Sequence, residues 1–156
     1  MTAYLPYLLA LGIGFVAGLR AMTAPAAVAW GAYLLWLPLA GTALAFMGSI
    51  WAVGIFTLLA AFELVSDQLP STPSRKVPVQ FGTRLLMGAL CGAAIGAIGG
   101  VLLAGLAFGV VGAVLGTYIG AAVRGALAKA FGKDLPAALI EDAVAIGGAF
   151  LIVHGL

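Results

Sequence analysis

Glu141 and Asp142 stand side by side in an otherwise apolar stretch, Leu135–Leu156. An ionised side chain within a membrane span costs about 2.5–3.5 kcal/mol on insertion scales, so each calls for a reason. Glu141 shares a helical face with Ala137, Ala138, Ala145 and Gly148, a small-residue seam that packs against protein. Asp142 shares a mixed face with Leu139, Ile146 and Ala149. Two readings fit the pair: a cation or proton site, or a structural ion pair with a buried arginine. Glu63 and Asp67 are four apart, hence on one face of a helix. Their like charges repel unless a cation lies between them. Arg20, Arg84 and Arg124 fall at the same expected depth. An arginine–carboxylate network is the economical reading, because the guanidinium fork pairs with carboxylates through two bonds. The sharper reading has the arginines binding a phosphate headgroup or anionic substrate. Arg20, Glu63, Asp67, Arg84, Arg124, Glu141 and Asp142 are therefore the candidates to line a ligand or ion pathway.

Other chemistry is poorly represented. GxSxG, HExxH and CxxC motifs are absent. Gly132-Lys133-Asp134 does not end a phosphate-binding loop, since neither Ser nor Thr follows the lysine. One histidine, His154, cannot build a histidine-rich metal site, and Cys91 is the sole cysteine, so no intrachain disulfide forms. No catalytic residue, metal or cofactor is expected, and the chain is not read as an enzyme. A membrane enzyme would need Glu63, Asp67, Glu141 and Asp142 to converge on a metal. The loop Ser66–Gln80 carries Pro70, Pro73 and Pro78 and the cations Arg75 and Lys76. It reads as a solvated connection, or as a basic loop resting on anionic lipid.

The elements that position these residues follow from how few charges there are. Of 156 residues, 7 are Lys or Arg and 5 are Asp or Glu, 8% in all, and mean hydropathy is +1.22. A soluble fold has about 25% charged residues. The composition excludes a soluble globular protein, a disordered tail and a nucleic-acid binder. It predicts a single all-α transmembrane domain over residues 1–156. The uncharged runs Ala21–Phe62 and Leu85–Val123 hold 42 and 39 residues, two spans each at about 20 residues per span. Breaks at Pro38–Gly41 and at Gly99-Gly100 then give a polytopic bundle of about six short helices, near 3–19, 23–37, 42–65, 82–102, 106–123 and 136–154. The second is short enough to re-enter instead of span. The charged loops lie at about 66–81 and 124–135, the latter continuing the fifth helix and stopping near Gly132.

All seven cations fall in loops on one side of a six-span path. By the positive-inside rule that side is cytoplasmic, and both termini lie outside. Tyr4, Tyr7, Tyr33 and Trp36 then sit towards the outer interface, where amphipathic rings collect. The expected location is the bacterial inner membrane, with lipids as neighbours and no nucleic-acid partner. Packing is expected through glycine-zipper stripes: Gly14 and Gly18; Gly88, Gly92, Gly96 and Gly100; Gly112, Gly116 and Gly120. Four-residue spacing puts each set on one face and lets backbones approach. The contact is within a subunit or along a homo-oligomer seam. A weak echo links GFVAGLR (14–20) with GTYIGAAVR (116–124), each ahead of Pro-Ala-Ala, as a parallel repeat would.

The stretches GFVAGLRAMTAPAAVAW (14–30), ELVSDQLPSTPSRK (63–76), GAVLGTYIGAAVR (112–124) and LPAALIEDAVAIGGAFLIV (135–153) resemble a family of small bacterial membrane proteins, the domain-of-unknown-function family 4126. The resemblance covers nearly the whole chain. It brings no activity and no catalytic residues; it implies that the polar positions around Arg20, Glu63–Arg75 and Glu141-Asp142 are the ones to test. The expected function is a small transporter or channel for a small solute, ion or lipid, acting as a homo-oligomer. The alternative is a non-transporting scaffold or partner-binding subunit whose charges form a structural ion-pair network.

Overall fold

The computed structural model describes residues 2–69 and 74–156. The prolines and hydroxyls at 70–73 of the predicted loop lie outside the described residues. The described residues form α-helices and no strand: α1 (Leu5–Leu19), α2 (Thr23–Tyr33), α3 (Ile50–Ser66), α4 (Pro78–Ile98), α5 (Leu102–Phe131) and α6 (Asp134–His154). A 3₁₀ turn at Ala45–Gly48 precedes α3. The helices α4, α5 and α6 are long and apolar enough to cross a membrane, while α1 and α3 are shorter apolar helices.

The helix bounds differ from expectation for local reasons. α2 stops at Tyr33, not near 37, because Leu35 adopts a left-handed φ of 63°. The amides of Trp36 and Leu35 then donate back to Gly31 and Ala32, a Schellman stop built without glycine. The α4 end has the same bonds, Val101 to Gly96 and Gly100 to Ala97, with Gly100 at φ 71°. Gly100 is therefore the turn residue between α4 and α5 and not a packing residue of the stripe. α3 begins at Ile50, not 42, where the Ser49 hydroxyl accepts the Ala52 amide and caps the helix. α4 starts earlier than 82, at Pro78, a residue suited to a first helical turn. The segment after 123 continues the fifth helix as expected: α5 runs unbroken to Phe131 and ends on Gly132 at φ 70°. Thirty residues make α5 about 45 Å long.

The core is α1, α4 and α5. Here small residues let backbones touch. A Cβ on Gly109 would lie 2.1 Å from the Gly88 carbonyl oxygen, and one on Gly14 would lie 2.1 Å from that of Gly109. Gly92 and Gly96 face Gly105, while Gly112, Gly116 and Gly18 close α5 onto α1. Gly120 meets something else, the Leu19 side chain and the polar ends of Arg75 and Glu141. α6 packs on α1, α2 and α5 and buries Ala145, Ala149 and Val153. The non-helical stretch after α2 tucks Leu37, Leu39 and Met47 into the core at the end of the bundle away from the charges. α3 packs chiefly on α2 and leaves Ile55, Leu58, Phe62 and Val65 exposed. The last turns of α6 lie beside α1 and α2: Gly12 of α1 faces Ile152, and Gly31 of α2 faces Val153.

Candidate functional site

The site is the junction where α1 ends and α2 begins. Arg20 is the first residue past α1, in extended conformation, and it is completely buried. Its Nε donates to Asp142 Oδ1 at 2.6 Å, and its Nη2 lies 2.8 Å from Asp67 Oδ2. Its Nη1 donates to the Leu19 carbonyl at 3.1 Å and faces Glu141 at 3.4 Å. A charge taken out of water this completely is tolerated only when paired and hydrogen-bonded. Arg20 meets three carboxylates from α6 and the α3 end. Asp142 and Glu141 are sequence neighbours pointing about 100° apart on α6, and both reach the one guanidinium because it sits between them.

Three further arginines complete the network. Arg75 donates to both oxygens of Glu141, at 2.5 and 3.0 Å. Arg124 of α5 pairs with Asp67, with Asp134 at 2.6 Å and with Glu141 at 3.4 Å. Arg84 of α4 donates Nη1 to the carbonyls of Gly18 and Leu19, at 2.7 and 2.8 Å. These are end carbonyls of α1, which lack intrahelical partners. At the other side of the junction Glu63 accepts the amides of Ala21 and Met22, each at 2.8 Å. These amides stand just ahead of α2, whose positive end favours a nearby carboxylate. The turn thus has the carbonyl end of α1 held by an arginine and the approach to α2 held by a glutamate.

All seven candidates from the sequence converge here. Glu63 and Asp67 do not share a cation between them; they diverge, Glu63 to the α2 amides and Asp67 to Arg20 and Arg124. All five carboxylates meet an arginine, Glu63 the most loosely, at 3.9 Å from Arg84. Two participants were not among the sequence candidates. Arg75 sits in what reads as a solvated loop, yet its side chain is 9% exposed. Asp134 is largely exposed at the start of α6. The signal for Arg75 is Gly120: a side chain there would fill the space that the Arg75–Glu141 pair occupies. Lys76 lies instead over the Tyr118 ring, 5.4 Å from its centre. Among the described residues no group of three or more His, Cys, Asp or Glu side chains is placed to hold a metal. Cys91 is buried among the core alanines, and His154 stacks on Phe150.

Among the described residues three openings flank the junction, one of about 220 Å³ beside Leu19, Arg124 and Glu141. Between α2, α3 and α6 lies an apolar groove of about 440 Å³, walled by Ala26, Trp30, Ala60, Ala61, Ile146 and Phe150. Between α3 and α4 lies a polar crevice of about 210 Å³, reached by Glu63, Asp67, Gln80, Thr83 and Arg84. Compared with known proteins, the chain matches no family model, no curated protein and no solved structure.

Proposed function

We propose that the chain is a multi-pass inner-membrane protein that moves a small solute, ion or lipid, with the α1–α2 junction as its gate. One observation carries this reading: nine of the twelve charged residues gather at the tight turn between α1 and α2. Free helix ends in transporters offer their amides to anions and their carbonyls to cations. Here Glu63 and Arg84 occupy those positions, as a closed gate would. Apolar packing would hold helices together without the cost of burying charge, so a network that must open and reform accounts for the charges better than glue alone. In this reading the charged end is cytoplasmic, the termini are outside, the glycine contacts of α1, α4 and α5 are a glycine zipper holding each subunit rigid, and subunits associate as a homo-oligomer. The resemblance to family 4126 belongs to the same proposal.

A second reading has its own support. Every carboxylate already has an arginine, which suits a permanent scaffold. Solute flux in proteoliposomes separates the two. A gate predicts that Glu141→Gln with Asp142→Asn changes flux by tenfold or more in protein that still folds. Unchanged flux in folded protein removes the junction as the gate.

A further inference from the structure

Arg84 is 2% exposed, and only one side of its guanidinium is used. Nη1 serves the two α1 carbonyls. Nε is buried and has no hydrogen-bond partner among the described residues. Nη2 stands 3.9 Å from Glu63 Oε1, outside hydrogen-bond range. In a guanidinium the Nε–H and one Nη2–H point out along the same edge, the fork that takes a carboxylate or phosphate through two bonds. That edge is empty. Glu63 does not fill it, because its two oxygens are drawn to the amides of Ala21 and Met22. A buried N–H left without a partner is uncommon in a native fold and calls for an explanation, such as a water, an ion or a ligand.

Arg84 lines the polar crevice between α3 and α4, together with Glu63, Asp67, Gln80 and Thr83. Asp67 meets both of its arginines through Oδ2. A lone anion entering towards Arg84 would face two carboxylates at close range. A lone cation entering towards those carboxylates would face Arg84. A molecule carrying both charges a few bonds apart is favoured at each end. The volume, about 210 Å³, is below the 300–1,000 Å³ usual for drug-sized ligands and suits a few heavy atoms.

We propose that this crevice binds a small zwitterion, its carboxylate or phosphate on the open edge of Arg84 and its protonated amine towards Glu63 and Asp67. The proposal rests on the α1–α2 junction being the functional site and names the class of molecule that site takes. The shared chemistry has two sources, a free amino acid or the phosphoethanolamine headgroup of a lipid. For the second, exposed Phe62 and Leu59 at the crevice rim give the chains an apolar path.

The test is equilibrium binding to the full chain in phosphatidylcholine nanodiscs. Glycine and phosphoethanolamine are titrated by calorimetry against acetate and ethylamine, and retention of phosphatidylethanolamine is read by native mass spectrometry. At least one zwitterion binds at least tenfold more tightly than either singly charged analogue. Glycine binding without lipid retention identifies a free solute; lipid retention without glycine binding identifies the headgroup. Arg84→Lys weakens binding tenfold or more. Because Arg84 also holds α1, Thr83→Leu is the companion variant: Thr83 bonds only the Val79 carbonyl of its own helix at 2.8 Å, and leucine fills the crevice. It too weakens binding tenfold or more. Equal binding of zwitterions and their singly charged analogues, or undiminished binding by folded Thr83→Leu, overturns the proposal. Zwitterion binding without flux overturns the transport reading alone, and flux of another solute without zwitterion binding overturns this site alone.

Discussion

Arg20 and Asp142 lie 122 positions apart in sequence and 2.6 Å apart in space, so the end of α1 is tied directly to α6. Neither side chain has water to fall back on, since both are buried. Removing one member of a buried pair leaves the other uncompensated, at a cost of about 3–5 kcal/mol. Arg20→Met orphans Asp142 and should lower stability by about that amount; Asp142→Asn should cost less, because Arg20 keeps Asp67 and Glu141. The double variant should recover part of the loss, because it leaves no orphaned charge. Thermal unfolding in detergent measures all three; a double variant as unstable as the sum of the singles contradicts the pairing.

Arg75 should behave as a smaller version of the same effect. It donates two bonds to Glu141 from a position nearer the surface. Glu141 keeps Arg20 and Arg124 when Arg75 is lost. Arg75→Gln should therefore cost about 2 kcal/mol, the range for bonds to charged groups. Arg75→Lys should restore little, because an ammonium cannot supply the parallel fork. The comparison is made by melting temperature, and equal stability of Lys and Arg at this position would refute the fork.

The glycines divide into two kinds, and substitution should show it. Gly109→Ala would place a Cβ 2.1 Å from the Gly88 carbonyl oxygen and should prevent α4 and α5 from closing. Gly54 on α3 has nothing within 4 Å of such a Cβ. Gly54→Ala should be tolerated and gain up to about 1 kcal/mol from helix propensity. The yield of folded protein after detergent extraction checks both; similar behaviour of the two variants would contradict the packing.

Leu35 pays a conformational cost in its left-handed turn, and its side chain is 83% exposed. A left-handed residue with a Cβ costs about 1–2 kcal/mol relative to its usual conformation. Leu35→Gly should therefore raise the midpoint of unfolding, and Leu35→Val, branched at Cβ, should lower it.

The helical class of the fold was legible because membrane spans are written in composition, and twelve charges in 156 residues leave little ambiguity. The seven site candidates were legible for the same reason: in an apolar chain each ionisable residue within or beside a helix stands out. What could not be read was geometry that depends on partners. The end of α2 was missed because a leucine, not a glycine, takes the left-handed position. Arg75 was missed because a loop cation has no intrinsic reason to be buried; its burial comes from Glu141 and from the space above Gly120. Gly100 fits both the expected break at Gly99-Gly100 and the four-residue stripe; it turns the chain and packs on nothing, and spacing alone cannot choose between the two.

The polar turn between α1 and α2 has a consequence for how the chain is made. A chain emerging from the ribosome delivers α1 and α2 first. At that moment the carbonyls of Gly18 and Leu19 have no Arg84, the amides of Ala21 and Met22 have no Glu63, and Arg20 has no Asp142. Glu63 arrives with α3, Arg84 with α4 and Asp142 only with α6. The leading hairpin must keep its polar bend at the water interface until the remaining helices have been synthesised. If the chain is the multi-pass protein proposed above, the hairpin takes its final seat only once α6 is made, so a truncation before α6 should leave α1 and α2 accessible to aqueous reagents.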